Sequence, residues 1–251
     1  MKNLVGKRIA ILVENDYEDQ ELWYPLYRLR EAGAEVVVIG PRTGTYHSKH
    51  GYPVEATLAA AEANPADFDG VVVPGGWAPD RLRRYAAITG LVKALDDAGK
   101  VVAAICHGPH VLISAGVVRG RRVAAVIALK DDLINAGATY VDAEAVRDGN
   151  LISARVPDDL PAFMRQVLTA LAAPVEKLSA QDVLRLAIEK ERESYELYDL
   201  AAQRSTNLET KALFRRLANE EAGHRGALEA DLEQLTSDPV WDRYDGWREV
   251  A

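Results

Sequence analysis

The residue types best suited to chemistry fall in two places. The single cysteine of this 251-residue chain, Cys106, stands in "VVAAICHGPHVLISAG", between a short apolar run and Gly108-Pro109, with His107 directly after it. A cysteine at the end of a buried strand and just before a helix gains from the positive helix terminus and from nearby backbone N–H groups, both of which favour the thiolate. Gly108 permits a tight turn, and Pro109 suits an early helical position where its missing N–H costs nothing. This is the layout of a nucleophile elbow without the Gly-x-Ser-x-Gly sequence. The position equally suits a small buried residue with a chance histidine neighbour, because free cysteine is among the most buried residue types. Position and turn chemistry alone leave both readings open.

The second place is near the C-terminus. A helical stripe runs through Leu184, Ala187 or Ile188, Glu191, Ser194 or Tyr195, Tyr198 and Ala201, and a second through Phe214, Leu217, Glu221, His224, Leu228 and Leu235. Three ionisable groups, Glu191, Glu221 and His224, thus fall on faces expected to be buried. With a turn centred near Thr206, Glu191 and Glu221 are level in an antiparallel hairpin, and Glu221-x-x-His224 puts two ligands on one helix face. Buried carboxylates with an imidazole are costly unless paired or bound to metal, so the pattern favours a metal site. The competing reading is a plain dimerisation hairpin whose Glu and His pair with Arg or Lys.

The elements that must position Cys106 are legible over the first two thirds of the chain. The runs "RIAILV", "AEVVVIG", "DGVVVPGG" and "KVVAAI" alternate with helical stretches such as "LWYPLYRLREAG" and "TGLVKALDDAG". Continuous apolar strands alternating with helices predict a parallel sheet covered on both faces, with ligands beyond the carboxyl ends of the strands. "ATYVDAEAVRDGNLISAR" predicts an edge hairpin turning at Asp148-Gly149-Asn150. Two stretches should share the end of the sheet with Cys106. Backbone N–H groups at Pro74-Gly75-Gly76 are suited to hold an oxyanion. Glu14, Asp16, Glu18, Asp19 and Glu21 follow the first strand, most of them expected to be solvated, and their residue types and spacing alone do not choose among them. The expected domains are 1–174, an α/β sandwich; 175–236, an all-α hairpin with Ser179 and Asp182 as a capping start; and a tail, 237–251.

Composition narrows the partners. A formal charge of −8 and a pI near 5.2 argue against nucleic-acid and acidic-membrane surfaces, leaving small molecules or proteins. One cysteine excludes an internal disulfide and a cysteine zinc cage, and the opening residues read as a buried strand, so a cytoplasmic location is expected.

The segments "YEDQELWYPLYRLREAG", "VVVPGGWAPDRLR", "AAICHGPHVLISAGVVRGR" and "KDDLINAGATYVDAEAVRDGNLISARVPDDLPAFMR" resemble successive signatures of the PfpI intracellular protease and glyoxalase III family, within the Parkinsonism-associated deglycase superfamily. The resemblance covers about residues 8–171 and implies a flavodoxin-like three-layer α/β/α sandwich with Cys106 as nucleophile. It implies Glu18 as the carboxyl beside the sulfur, His107 as acid/base, and Asp80 of a neighbouring subunit as the group orienting His107. Gly75, Gly76 and the His107 backbone are the implied oxyanion groups. Two departures bear on substrate choice: Val126-Ile127 replaces an aromatic-Pro pair, and Asp80 is one methylene shorter than the usual glutamate. His110 stands where glutamine is common in relatives, close to the thiol and placed to modulate it; otherwise it, His47 and His50 are expected to be surface or supporting residues.

The segment "AIEKERESYELYDLAA…LFRRLANEEAGHRGAL" resembles the ferritin-like hairpin of rubrerythrins, which implies Glu191, Glu221 and His224 as iron ligands. One hairpin is half of a di-iron bundle, so the resemblance implies a homo-oligomer, a dimer or hexamer. No cofactor is implied for the first domain. The expected activity is cysteine-dependent conversion of methylglyoxal or its adducts. A peptidase, a redox sensor or chaperone, and an iron-binding protein are the alternatives.

Overall fold

The computed structural model describes residues 4–172 and 180–237. The chain divides into two compact units, Met1–Ala172 and Ala173–Ala251. The expected domain boundary at 174–175, Ser179 and the tail from 238 lie outside the described residues.

The first unit is built on a seven-stranded sheet. Its strands are β1 (Arg8–Leu12), β2 (Glu35–Gly40), β5 (Leu58–Ala59), β6 (Gly70–Val73), β7 (Val101–Ile105), β10 (Val146–Asp148) and β11 (Leu151–Ala154), in the order β10-β11-β7-β6-β1-β2-β5. Between them come two small pairs, the antiparallel β3 (Gly44–His47) with β4 (Pro53–Ala56), and β8 (Arg122–Val123) with β9 (Thr139–Tyr140). Every sheet pairing is parallel except β10 with β11, the edge hairpin that turns through Gly149. The central strands are apolar on both faces because helices cover both. Helices α1 (Asp19–Glu31) and α6 (Leu160–Leu171) pack together, and so do α3 (Ala86–Asp97) and α4 (Pro109–Ser114), which α2 (Ala78–Leu82) also touches. Helix α5 (Lys130–Asn135) packs against β9.

After β1 the chain first builds β2 on one side, then returns to build β6 and β7 on the other. The carboxyl ends of β1, β6 and β7 therefore open into the crevice where the strand order reverses, the usual ligand position of such sheets.

The second unit is the expected hairpin: α7 (Ala180–Arg204) and α8 (Leu208–Ser237). Asn207 caps α8, its Oδ1 accepting from the Thr210 N–H at 2.9 Å. Two helices alone cannot cover their own apolar stripes. Of their residues only Ala202 and Ala218 are buried, and the side chains of Glu191 and Glu221 are 26% and 19% exposed. The burial expected from periodicity is therefore only partial within one chain. No described helix is long and apolar enough to cross a membrane.

Candidate active site and candidate metal centre

Strand β7 is buried throughout and delivers Cys106 at its end. There the backbone turns so sharply that Cys106 takes φ 60°, a left-handed conformation costly for a side chain with a Cβ. The turn needs Gly108, where a Cβ would stand 2.4 Å from the Val73 carbonyl oxygen of β6. The end of β11 and the segment after β8 hold the strained residue, the Cys106 N–H donating to Ala154 O at 3.1 Å and the Val126 N–H to Cys106 O at 3.2 Å. Val126, the departure noted in the sequence, thus touches the elbow through its backbone, while Ile127 is exposed. Helix α4 has only six residues, so the backbone N–H groups of His107 and Gly76, which favour the charged form of the sulfur, matter more than its dipole.

The carboxyl beside the sulfur is Glu21 and not Glu18. Glu21 extends the buried face of α1 that runs on through Leu22, Pro25, Leu26 and Leu29, and it is wholly buried. Its Oε2 accepts the Gly75 N–H at 2.7 Å, and its Oε1 is buried without a hydrogen-bond partner. A Cβ on Gly75 would lie 2.5 Å from Glu21 Oε2 and 2.8 Å from the Cys106 Cβ, which shows how closely the three pack. Glu18 precedes α1, its side chain making no capping hydrogen bond, and its carboxylate is taken by Lys49 in an ion pair. It acts on Glu21 only through its charge.

Gly75 does not serve the oxyanion site expected of it. Its N–H is spent on Glu21, so the groups left for an oxyanion are the N–H of Gly76 and of His107. Gly76 has φ 76°, and a Cβ there would stand 2.5 Å from Asp16 O, so only glycine fits this crossing.

Burial sets the titration of this cluster. It raises Glu21 from the ordinary 4.5 to about 7, with help from the Glu18 charge and against the Gly75 N–H. It pushes the Cys106 thiol to about 12, with Glu21 adding to the rise and the two N–H donors opposing it. Carboxyl and thiol touch and titrate as a pair. Between these values they hold one proton and one negative charge. Lys49, which also feels Glu18, Cys106 and Glu21, is raised and stays charged. His107 is lowered by burial and by Lys49, so its half-buried imidazole is neutral and basic. Its ring lies 5.7 Å from that of Trp77 and 5.9 Å from that of His110. Among the described residues none hydrogen-bonds the His107 ring. Asp80 lies on α2, half exposed and paired with Arg84, and is not brought to His107 of its own chain.

Lys49 escaped the sequence reading. It rides the loop between β3 and β4, stapled over the start of α1 by Lys49 N–H to Tyr17 O at 3.0 Å and by Tyr17 Oη to Tyr52 O at 2.6 Å. Ser48 and His50 of that loop hold Asp19 at 2.6 Å each. Glu18, Asp19 and His50 also place ligand atoms close together, but Lys49 and Ser48 already satisfy the two carboxylates.

In the second unit Glu191 and Glu221 lie level across the hairpin. His224 Nδ1 is 3.1 Å from Glu221 Oε2 and 3.8 Å from Glu191 Oε2, and the three ligand atoms lie within 4.8 Å of one another. Among the described residues neither carboxylate pairs with a lysine or arginine, which counts against the plain salt-bridged hairpin. Glu221 beside it raises the Glu191 carboxyl. Two carboxylates and an imidazole are a donor set suited to iron and similar divalent metals. Tyr198 stacks on Phe214 two turns away.

The model of the DJ-1/PfpI family matches residues 7–170, nearly two thirds of the chain. The chain belongs to the DJ-1/PfpI family. The Rubrerythrin model matches residues 166–243, so the DJ-1/PfpI domain is followed by a rubrerythrin domain. A deglycase of Pyrococcus abyssi is 50% identical over 164 residues, 65% of this chain and 99% of the relative. Protein/nucleic acid deglycase 2 of Escherichia coli is 42% identical over 172 residues, 67% of this chain and 100% of the relative. A crystal structure of a two-domain protein from Anabaena variabilis, containing DJ-1/ThiJ/PfpI-like and ferritin-like domains, has a TM-score of 0.65 and 35% identity, covering 98% of this chain and 78% of that one. With relatives named as deglycases, the DJ-1/PfpI unit is that of an enzyme.

Proposed function

We propose that this protein is a cytoplasmic, cysteine-dependent enzyme of reactive-carbonyl defence, converting methylglyoxal or its adducts at Cys106. The observation that carries the reading is the strained elbow on which Cys106 stands, under the influence of the backbone N–H groups of His107 and Gly76 and of the buried Glu21 carboxyl, with a neutral His107 next in the chain. The deglycase relatives agree with it.

The reactive form has the shared proton on Glu21, whose O–H donates to the thiolate together with the His107 and Gly76 N–H groups. The sulfur attacks the aldehyde carbon of methylglyoxal, a C–S bond forms, and the carbonyl oxygen takes a proton to give a hemithioacetal. His107 removes the hydrogen from that carbon as a proton and an enediol forms. Returning a proton to the former ketone carbon leaves a thioester of lactate. Water cleaves the C–S bond, so methylglyoxal and one water give lactic acid and the free thiol. The Gly76 and His107 N–H groups stabilise the oxygen that carries charge at each addition. Asp80 of a neighbouring subunit orients His107, whose ring has no partner within the described chain.

Glu191, Glu221 and His224 would hold iron in the rubrerythrin unit, and a second copy of the hairpin would complete four helices and the ligand set. When bound, iron supplies redox chemistry with oxygen or peroxide. The chain's own residues bring two carboxylates and an imidazole together and keep them half screened from water.

The test is lactate formation from methylglyoxal without glutathione, by wild type and by Cys106→Ser at equal metal content. Turnover confined to the wild type is expected. No turnover in either would overturn the carbonyl reading.

A further inference from the structure

His110, which the sequence places close to the thiol, is held by a partner that restricts its chemistry. Arg83 follows α2 directly and reaches across to α4. Its Nε donates to Ser114 Oγ at 2.8 Å, and its Nη1 lies 2.8 Å from His110 Nδ1. A guanidinium carries donors only and does not lose its charge in proteins. Nδ1 of His110 must therefore be the acceptor, which leaves that imidazole neutral with its proton on Nε2.

The location gives this restriction a purpose. The His110 ring lies beside that of His107, 5.9 Å between centroids, and is likewise half-buried. The charged groups facing His110 come from three elements. Asp80 of α2 and Asp132 of α5 favour its protonation, whereas Arg83, His107 and burial oppose it, and the opposition wins. His107 is lowered by burial and by Lys49. Arg83 bonds His110 directly, and His110 stands between it and the His107 ring as the group whose charge it sets.

We propose that Arg83 is a positioning residue that locks His110 as the neutral Nε2–H tautomer, so that no second positive charge stands beside His107 when it takes a proton. This rests on the reading of His107 as the base. In each cycle a proton moves to the His107 imidazole, giving an imidazolium, and a charged His110 at this distance would oppose that step. Acidic conditions are where the lock matters, since an unrestrained imidazole there would protonate first.

The experiment is a nitrogen and proton NMR titration of the histidine rings in the full chain, with the pH profile of methylglyoxal turnover measured on the same proteins. In the wild type His110 should show an unprotonated Nδ1 and a protonated Nε2, and should titrate below the ordinary histidine value. Arg83→Gln should raise the His110 titration by at least about one unit and move the acidic limb of turnover upward by a similar amount. Arg83→Lys, which keeps the charge, should restore most of the wild-type behaviour. His110→Gln should leave the limb in place, and Arg83→Gln/His110→Gln should return it there. The opposite tautomer in the wild type, an unmoved His110 titration in Arg83→Gln, or a limb that stays shifted in the double variant would overturn the proposal. If the wild type does not turn over methylglyoxal, the carbonyl reading fails on its own, and the ring titrations still decide this one.

Discussion

Replacing Glu21 by glutamine should make folding stability less dependent on pH, by an amount set by burial. Glu21 is raised from 4.5 to about 7 in the folded chain. Each pKa unit corresponds to about 1.4 kcal/mol, so the shift is worth about 3 kcal/mol. The direction follows from linkage. A raised folded pKa binds the proton more tightly than the unfolded chain does, so this contribution is fully present below 4.5 and is lost as pH rises through about 7. Glutamine keeps an oxygen for the Gly75 N–H and cannot ionise. The stability of Glu21→Gln relative to wild type should therefore rise by about 3 kcal/mol between about pH 4.5 and about pH 8. Denaturant titrations in a background with Trp241 and Trp247 changed to phenylalanine would read it, because Trp23 and Trp77 then report on the first unit alone. A stability difference that is flat across that range would refute the reasoning, since Glu21 would then ionise as freely in the fold as in water.

The same geometry makes other predictions. Gly75→Ala forces a Cβ to within 2.5 Å of Glu21 Oε2, and should lower stability by about 1–3 kcal/mol while slowing alkylation of Cys106 by iodoacetamide. Glu18→Gln should reduce methylglyoxal turnover by less than about tenfold, whereas Glu21→Ala should reduce it by more than about a hundredfold; equal losses would return Glu18 to the sulfur. In the second unit, Glu221→Ala or His224→Ala should abolish iron binding, measured by metal analysis after reconstitution, and leave turnover at Cys106 unchanged.

The sheet was readable because "RIAILV", "DGVVVPGG" and "KVVAAI" are apolar without alternation, which only strands covered on both faces require. Cys106 was readable for a related reason: strand end, Gly108 and Pro109 are local features. Glu21 was within reach, because it belongs to the stripe through Leu22, Pro25, Leu26 and Leu29, the same signal that singled out Glu191 and Glu221. The Tyr-Glu-Asp resemblance drew attention to Glu18, a residue just outside the helix whose charge Lys49 takes. Lys49 itself and the Arg83–His110 pair join residues far apart in sequence, so only the folded chain brings them together. The Gly75 N–H was not readable either, since which acceptor takes a turn amide depends on a helix more than fifty residues away. Periodicity placed Glu191, Glu221 and His224 on facing sides of the hairpin but overstated their burial, because a stripe reports the face to be covered and not whether the same chain covers it.

The central claim is that Cys106 forms a covalent bond to a carbonyl carbon. Methylglyoxal labelled with a heavy carbon isotope at the aldehyde position, mixed with excess protein and followed by NMR, addresses it directly. The account predicts a protein-bound resonance of a hemithioacetal or thioester carbon that decays into the lactate carboxylate, and its absence from Cys106→Ser. Label that reaches lactate equally fast in Cys106→Ser, or that never leaves free methylglyoxal in the wild type, would contradict it.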